Sequence, residues 1–258
     1  MRTEIVYEDQ DLLIVYKPAG LAVQTASVTQ KDVVTELCSY LKTTYIGLVH
    51  RLDQPVEGLM AVAKTKEAAA ALSRQLTDGT MKKTYYAVVC KRRDMYDRGQ
   101  ETTGGAWNMC DRGQETTGDV WTCDGQEYTV LSDYLVKDKK TKTARIVTEL
   151  APDRRPKEAA VATLFYRVLQ EREQTALCEI VLQTGRFHQI RAQFSHAKMP
   201  LLGDKKYADA QSAALSEALS VNDVALCAAK LSFVHPRTKK KTEYSIRPCK
   251  PVFNSYEF

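Results

Sequence analysis

At 258 residues the chain is long enough to bury a sizeable core, and its composition, 44% hydrophobic and 27% charged, is that of an ordinary globular protein. No apolar run approaches membrane-spanning length and the opening Met1-Arg2-Thr3-Glu4-Ile5 carries no apolar leader, so the expectation is a cytoplasmic protein. The net charge of +5 is unevenly spread: residues 97–128 hold seven acids against two bases, which leaves +10 on the remainder and suits a polyanionic partner.

The predicted elements run as follows. Residues 3–8 and 11–17 read as two strands joined by the acidic turn Glu8-Asp9-Gln10-Asp11. Val33, Val34, Leu37, Tyr40 and Leu41 keep helical spacing, which predicts a helix over 30–42. Leu59–Ala63 reads as a buried strand. Thr65 is placed to cap an alanine-rich helix that runs to about Thr77, with Gly79 as its stop. Thr84–Cys90 and Leu177–Leu182 are strand-like, and Gly185 marks the passage to a helix with Ile190, Phe194 and Ala197 on one face. A helix over Gln211–Leu219 and strands over Leu226–Val234 and Thr242–Ile246 close the chain. Strands outnumber helices and do not alternate strictly with them. That favours an α+β fold with a largely antiparallel sheet over a doubly wound parallel one.

Between strands lies an internal repeat. Asp97-Arg98-Gly99-Gln100-Glu101-Thr102-Thr103-Gly104 recurs as Asp111-Arg112-Gly113-Gln114-Glu115-Thr116-Thr117-Gly118, and Trp107 and Trp121 keep the same offset of 14. Two copies make no solenoid. The preferred reading is a tandem duplication within an inserted hairpin or loop over 91–127, on a single domain spanning 1–258. Its acidity argues against contact with phosphate. Seven cysteines are scattered without a Cys-x-x-Cys pair, and the four histidines lack zinc-ligand spacing. Reduced thiols and no metal site are expected.

Three segments carry chemistry. His50-Arg51-Leu52-Asp53-Gln54-Pro55-Val56-Glu57-Gly58 puts a carboxylate beside a cation in a turn broken by Pro55 and Gly58. Lys82-Lys83-Thr84-Tyr85-Tyr86-Ala87 puts two tyrosines on a strand, where they face opposite sides. Thr184-Gly185-Arg186-Phe187-His188-Gln189-Ile190-Arg191 opens a helix with two cations. In that order, and with Lys17-Pro18-Ala19-Gly20, Leu201-Leu202-Gly203-Asp204-Lys205-Lys206-Tyr207 and Lys230-Leu231-Ser232-Phe233-Val234-His235-Pro236, they resemble the RluA-type pseudouridine synthases over nearly the whole chain apart from about 91–127.

The resemblance implies a long mixed sheet with flanking helices and a central catalytic cleft. It implies an isomerase that turns uridines of ribosomal or transfer RNA into pseudouridine without cofactor or metal. Asp53 would be the catalytic carboxylate, Arg191 the arginine that pairs with it and Tyr85 the ring that stacks on the extruded base. Arg51 would fill the gap left by that base. His50, Leu52, Arg186, His188, Gln189 and Ile190 would bind RNA, line the pocket or hold these groups, with Arg186 the runner-up to Arg191. One departure is Cys227-Ala228, where relatives often have histidine before the alanine. The resemblance begins within the first ten residues, so no amino-terminal S4-like module is expected, and the protein is expected to be a monomer. Two other readings compete. A non-catalytic RNA-binding relative would have lost the aspartate or the tyrosine. A carboxylate-based glycosidase would need a second acid, and Glu57 is the only one close by in sequence.

Overall fold

The computed structural model describes residues 1–25, 30–91, 120–123, 125–148 and 155–258. In chain order its elements are β1 (Glu4–Glu8), β2 (Leu12–Lys17), α1 (Val33–Leu41), β3 (Gly47–Leu48), β4 (Glu57–Ala63), α2 (Lys66–Thr77) and β5 (Lys82–Cys90). They continue with β6 (Val120–Cys123), β7 (Gln126–Asp138), β8 (Thr143–Val147), β9 (Ala160–Glu171), β10 (Thr175–Leu182), α3 (Gln189–His196), α4 (Ala210–Ala218), β11 (Leu226–Val234) and β12 (Lys241–Ser245). Among the described residues a mixed set of strands with four α-helices makes this an α+β fold, as the strand-rich pattern predicts. Two compact units are present, one of Met1–Tyr86 with Leu226–Phe258 and one of Ala87–Ala225, and β5 supplies residues to both.

In the first unit β1, β2, β4 and β11 lie in that order, with β3 on β4 and β12 on β11. The β1–β2 and β2–β4 pairs are antiparallel, whereas β11 runs parallel to β4. The parallel pairing explains Gly58. It sits at φ +131°, and a Cβ there would lie 2.4 Å from the Ala228 carbonyl oxygen, so any side chain would force β4 off β11. Leu12, Ile14, Leu59 and Ala61 pack with Ala68 and Leu72 of α2 and with Leu231 and Phe233. Truncating such a buried leucine costs about 2–5 kcal/mol. Helix α2 begins where Thr65 accepts the Ala68 N–H (3.1 Å), a cap that contributes about 1 kcal/mol.

In the second unit β10, β9, β7 and β6 form an antiparallel meander with β8 on β7. Ala192 of α3 packs with Leu135, Ala144 and Ala162. Strands β6 to β9 are absent from the sequence expectation, and β7 shows why. Its buried residues Tyr128, Leu131, Asp133 and Leu135 break strict alternation once and include a carboxylate. Asp133 is tolerated inside because Gln193 of α3 donates to it at 2.7 Å and also reaches the carbonyls of Leu131 and Ala162. Of the inserted segment over 91–127, residues 120–123 and 126–127 belong to a hairpin that turns at Gly125. The duplicated segment 97–118 lies outside the described residues. Cys38, Cys178, Cys227 and Cys249 are free thiols.

Candidate active site

Asp53 stands, half-buried, in the turn between β3 and β4. The Val56 N–H closes that turn on the Asp53 carbonyl at 3.0 Å. Two lysines then hold the turn by its backbone. The ammonium of Lys17, fully buried, donates to the carbonyls of Gln54 (3.1 Å), Leu21 (2.8 Å) and Pro18 (3.0 Å). Lys250 Nζ donates to the Pro55 carbonyl at 2.9 Å. The Lys17-Pro18-Ala19-Gly20 segment is thereby stitched to the aspartate turn, and Gly20 adds two more bonds, to the Gln54 carbonyl (2.8 Å) and from the Gln54 side chain (3.2 Å). Burial and the nearby Lys250 charge lower the Lys17 ammonium to about 7, against the opposing pull of Asp53 and Glu57.

Glu57 has a different task. Its Oε2 accepts from Tyr16 (2.7 Å) and its Oε1 from the backbone N–H groups of Cys249 and Lys250 (3.2 Å each). A buried carboxylate occupied in this way anchors the carboxy-terminal segment behind the turn. That works against its use as the second acid of a glycosidase.

Tyr85, on β5, is buried in the same unit. Burial and then the Asp53 charge push its hydroxyl above the ordinary tyrosine range, so the two groups are electrostatic neighbours and the phenol holds its proton. Tyr86 points the other way, its ring 5.1 Å from that of Phe258. Lys83, two residues before Tyr85 and thus on its face, is buried and lowered to about 8 by desolvation. His50 accepts the Ala61 N–H on Nε2 at 3.0 Å, which leaves its proton on Nδ1. Burial and the Lys83 charge lower His50 to about 3, so it is neutral. His50 therefore braces β4 from within. Leu52 is buried and Arg51 is exposed.

Arg191 belongs to the second unit, on α3, and is buried. Its Nε and a terminal nitrogen donate to the two oxygens of Asp204 at 2.7 Å each, a bidentate pair, and its guanidinium lies 5.1 Å from the centre of the Tyr207 ring. Asp204 also accepts from the Lys206 N–H (3.0 Å), which fixes the turn that follows Gly203. Gly203 is required there: at φ +71° a Cβ would meet the Asp223 carbonyl oxygen at 2.2 Å. The partner of Arg191 is legible in the sequence only as the glycine-aspartate-tyrosine segment, whose aspartate carried no assigned role.

Gln189 ties down the loop before α3. Its Oε1 accepts from Thr184 (2.8 Å) and the Arg186 N–H (2.9 Å), and its Nε2 donates to the Thr163 carbonyl at 3.1 Å. Arg186 is exposed and donates to the Val161 carbonyl at 3.0 Å. His188 is buried at the start of α3 with φ +51°, its Nδ1 2.9 Å from the Tyr207 hydroxyl, and Ile190 is buried beside it. Of the expected residues, the first unit holds Asp53, Tyr85, His50, Arg51 and Leu52, and the second holds Arg191, Arg186, His188, Gln189 and Ile190.

Among the described residues three potential metal ligands converge, Asp9, Asp11 and His235, within 4.8 Å of one another. All are otherwise engaged. Arg237 grips Asp11 at 2.5 and 2.7 Å, His235 Nε2 lies 2.6 Å from Asp9, and His235 Nδ1 accepts the Arg237 and Thr238 N–H groups at 3.2 Å. The cluster is a structural clasp on the β1–β2 turn.

A family model described as RNA pseudouridylate synthase matches residues 11–196. The chain is 28% identical over 240 residues to the ribosomal large subunit pseudouridine synthase C of Vibrio cholerae serotype O1, covering 93% of this chain and 64% of that protein. It is 30% identical over 252 residues to the ribosomal large subunit pseudouridine synthase D of Zymomonas mobilis, covering 93% and 68%. It thus spans about two thirds of the length of these curated relatives. A solved structure of human RNA pseudouridylate synthase domain containing 4 shares the fold with a TM-score of 0.65 at 22% identity, covering 97% of this chain and 90% of that one.

Proposed function

The chain belongs to the RNA pseudouridylate synthase family, and from that premise we propose that it isomerises uridines of a structured ribosomal or transfer RNA to pseudouridine, with Asp53 as the catalytic carboxylate. The reaction breaks the bond from N1 of uracil to the sugar and makes one from C5. The proton on C5 is lost and N1 gains one, so the product is an isomer of the same mass. No electron acceptor is called for. What the protein must supply is an extruded nucleotide, a group that acts at the sugar or base, and a surface that holds the detached base while it turns.

The observation that carries the reading is the Asp53 turn itself. A carboxylate is set on a turn whose following carbonyls are gripped by two lysine ammonium groups, Lys17 and Lys250, with the Tyr85 phenol as its electrostatic neighbour. Such a turn costs little to reorganise during reaction, which is what positioned catalysis needs. Tyr85 offers its ring to the base, and its retained proton allows it to donate a hydrogen bond. The Asp204 pair fixes the guanidinium of Arg191 within the second unit. The two units together form the catalytic domain in this reading, which acts as a monomer in the cytoplasm.

The test is to incubate the purified chain with transcribed large-subunit ribosomal RNA or transfer RNA, map pseudouridines and measure free uracil. The expected result is new pseudouridine at discrete positions without uracil release. Free uracil would make the protein a glycosidase, and RNA binding without either product would make it a non-catalytic relative.

A further inference from the structure

Phe187 is a residue of the Thr184–Arg191 segment to which the catalytic assignment gives no role. It is a large apolar side chain, 37% exposed. A single exposed phenylalanine is ordinary by itself. Its surroundings are not. The imidazole of His188 stacks on the ring at 3.8 Å with 19° between the planes. That imidazole is held in turn by the Tyr207 hydroxyl at 2.9 Å, and the same hydroxyl accepts the Ala144 N–H of β8 at 2.5 Å. The Tyr207 hydroxyl, itself tied to β8, fixes the imidazole and, through it, the phenylalanine. The Lys137 ammonium of β7 sits 4.5 Å from the centre of the Phe187 ring. With His188 covering one face, it has room only over the other.

The surface around this ring is basic. The β7–β8 hairpin carries exposed Lys139, Lys140 and Lys142 at its turn besides Lys137. Its acid, Asp138, is engaged by the Lys140 and Thr141 N–H groups at its own turn. Exposed Lys206 joins the same surface, its ammonium 2.8 Å from the Lys142 carbonyl. A rigid aromatic ring that holds a displaceable cation on its open face, within a field of lysines, fits a nucleotide: a flat base for the ring and a phosphate for the ammonium.

We propose that Phe187 is a stacking platform for an unpaired base of the bound RNA, other than the base that reacts, and that this base replaces the Lys137 ammonium over the ring while the ammonium moves to a phosphate. The proposal rests on the RNA substrate class argued above and adds a binding position to it.

The experiment uses the full chain, a fluorescein-labelled twelve-nucleotide oligouridine and inorganic polyphosphate as a baseless polyanion, with affinities read by anisotropy and competition. Phe187→Ala should weaken oligouridine binding by about 5- to 100-fold, the loss of one base–aromatic stack, and leave polyphosphate binding unchanged. Phe187→Trp should restore it. Lys137→Ala should weaken both ligands and reduce the slope of log affinity against log salt by about 0.7. Oligouridine affinity unaltered in Phe187→Ala would overturn the proposal. So would equal loss of both ligands, or a tryptophan variant as weak as the alanine one. Pseudouridine formation by the same preparations separates the two readings. A wild-type enzyme that turns over while Phe187→Ala binds normally loses only the platform, and a wild type that forms no pseudouridine loses the catalytic reading.

Discussion

The Asp53 turn and the Arg191 helix both bury cations, by opposite means. In the first unit Lys17 is surrounded by three carbonyl oxygens and lowered to about 7, and Lys83 is lowered to about 8 by desolvation. In the second, Arg191 meets a carboxylate with both arms of its fork. Carbonyl dipoles orient an ammonium without neutralising it, so its charge stays costly and titratable. A carboxylate neutralises a guanidinium that does not lose its proton in any case. The contrast assigns work. Lys17 fixes the backbone around the Asp53 turn, and the Arg191 charge is spent on Asp204, which ties α3 to the turn after Gly203.

The largest effect should come from breaking the second arrangement. Asp204→Ala leaves a buried guanidinium without its partner and should cost about 3–5 kcal/mol of stability, read by denaturant unfolding. The double variant Arg191→Ala with Asp204→Ala should be more stable than Asp204→Ala alone. A single variant within about 1 kcal/mol of wild type would show that the ion pair does not hold α3.

Smaller effects should come from pH, and they sharpen the first arrangement. Lys17 has a folded value near 7 against 10.5 for a free lysine. The unfolded chain binds more protons between those limits, so stability should rise as pH goes from about 7 towards 10.5, and Lys17→Met should remove part of that rise. His50, near 3 in the fold against 6.5, has the same sign at lower pH: stability should fall as pH drops from about 6.5 to 3. His50→Gln, which keeps an acceptor for the Ala61 N–H, should flatten that fall. Unfolding midpoints measured across pH decide both, and a wild-type curve flat in these windows contradicts the account of buried, uncompensated bases.

Much of this was legible in the sequence because it is local. Thr65 caps α2 through a bond three residues away, and the apolar runs of β2 and β4 announce burial on both faces. What was not legible depends on distant partners. The polar Asp133 inside β7 is compensated from α3, so alternation alone does not reveal that strand or its neighbours. Glu57 reads as a spare acid near Asp53 until Tyr16 and the backbone of Cys249 and Lys250 are seen to occupy it. The Asp204 partner of Arg191 and the stacking of Phe187 on His188 likewise need three dimensions. The motif residues Asp53, Tyr85 and Arg191 were read from their segments. Their roles remain the proposal to be tested.

The most direct test is a single-turnover measurement of pseudouridine formation by Asp53→Asn at saturating RNA, on a substrate mapped with the wild type. The substitution keeps shape and the turn's backbone bonds and removes the ionised oxygen. The account predicts loss of turnover by at least about 1,000-fold with RNA affinity and unfolding midpoint close to wild type, the range seen when an essential catalytic group is removed. A variant that folds, binds RNA and isomerises uridine within tenfold of wild type would contradict it.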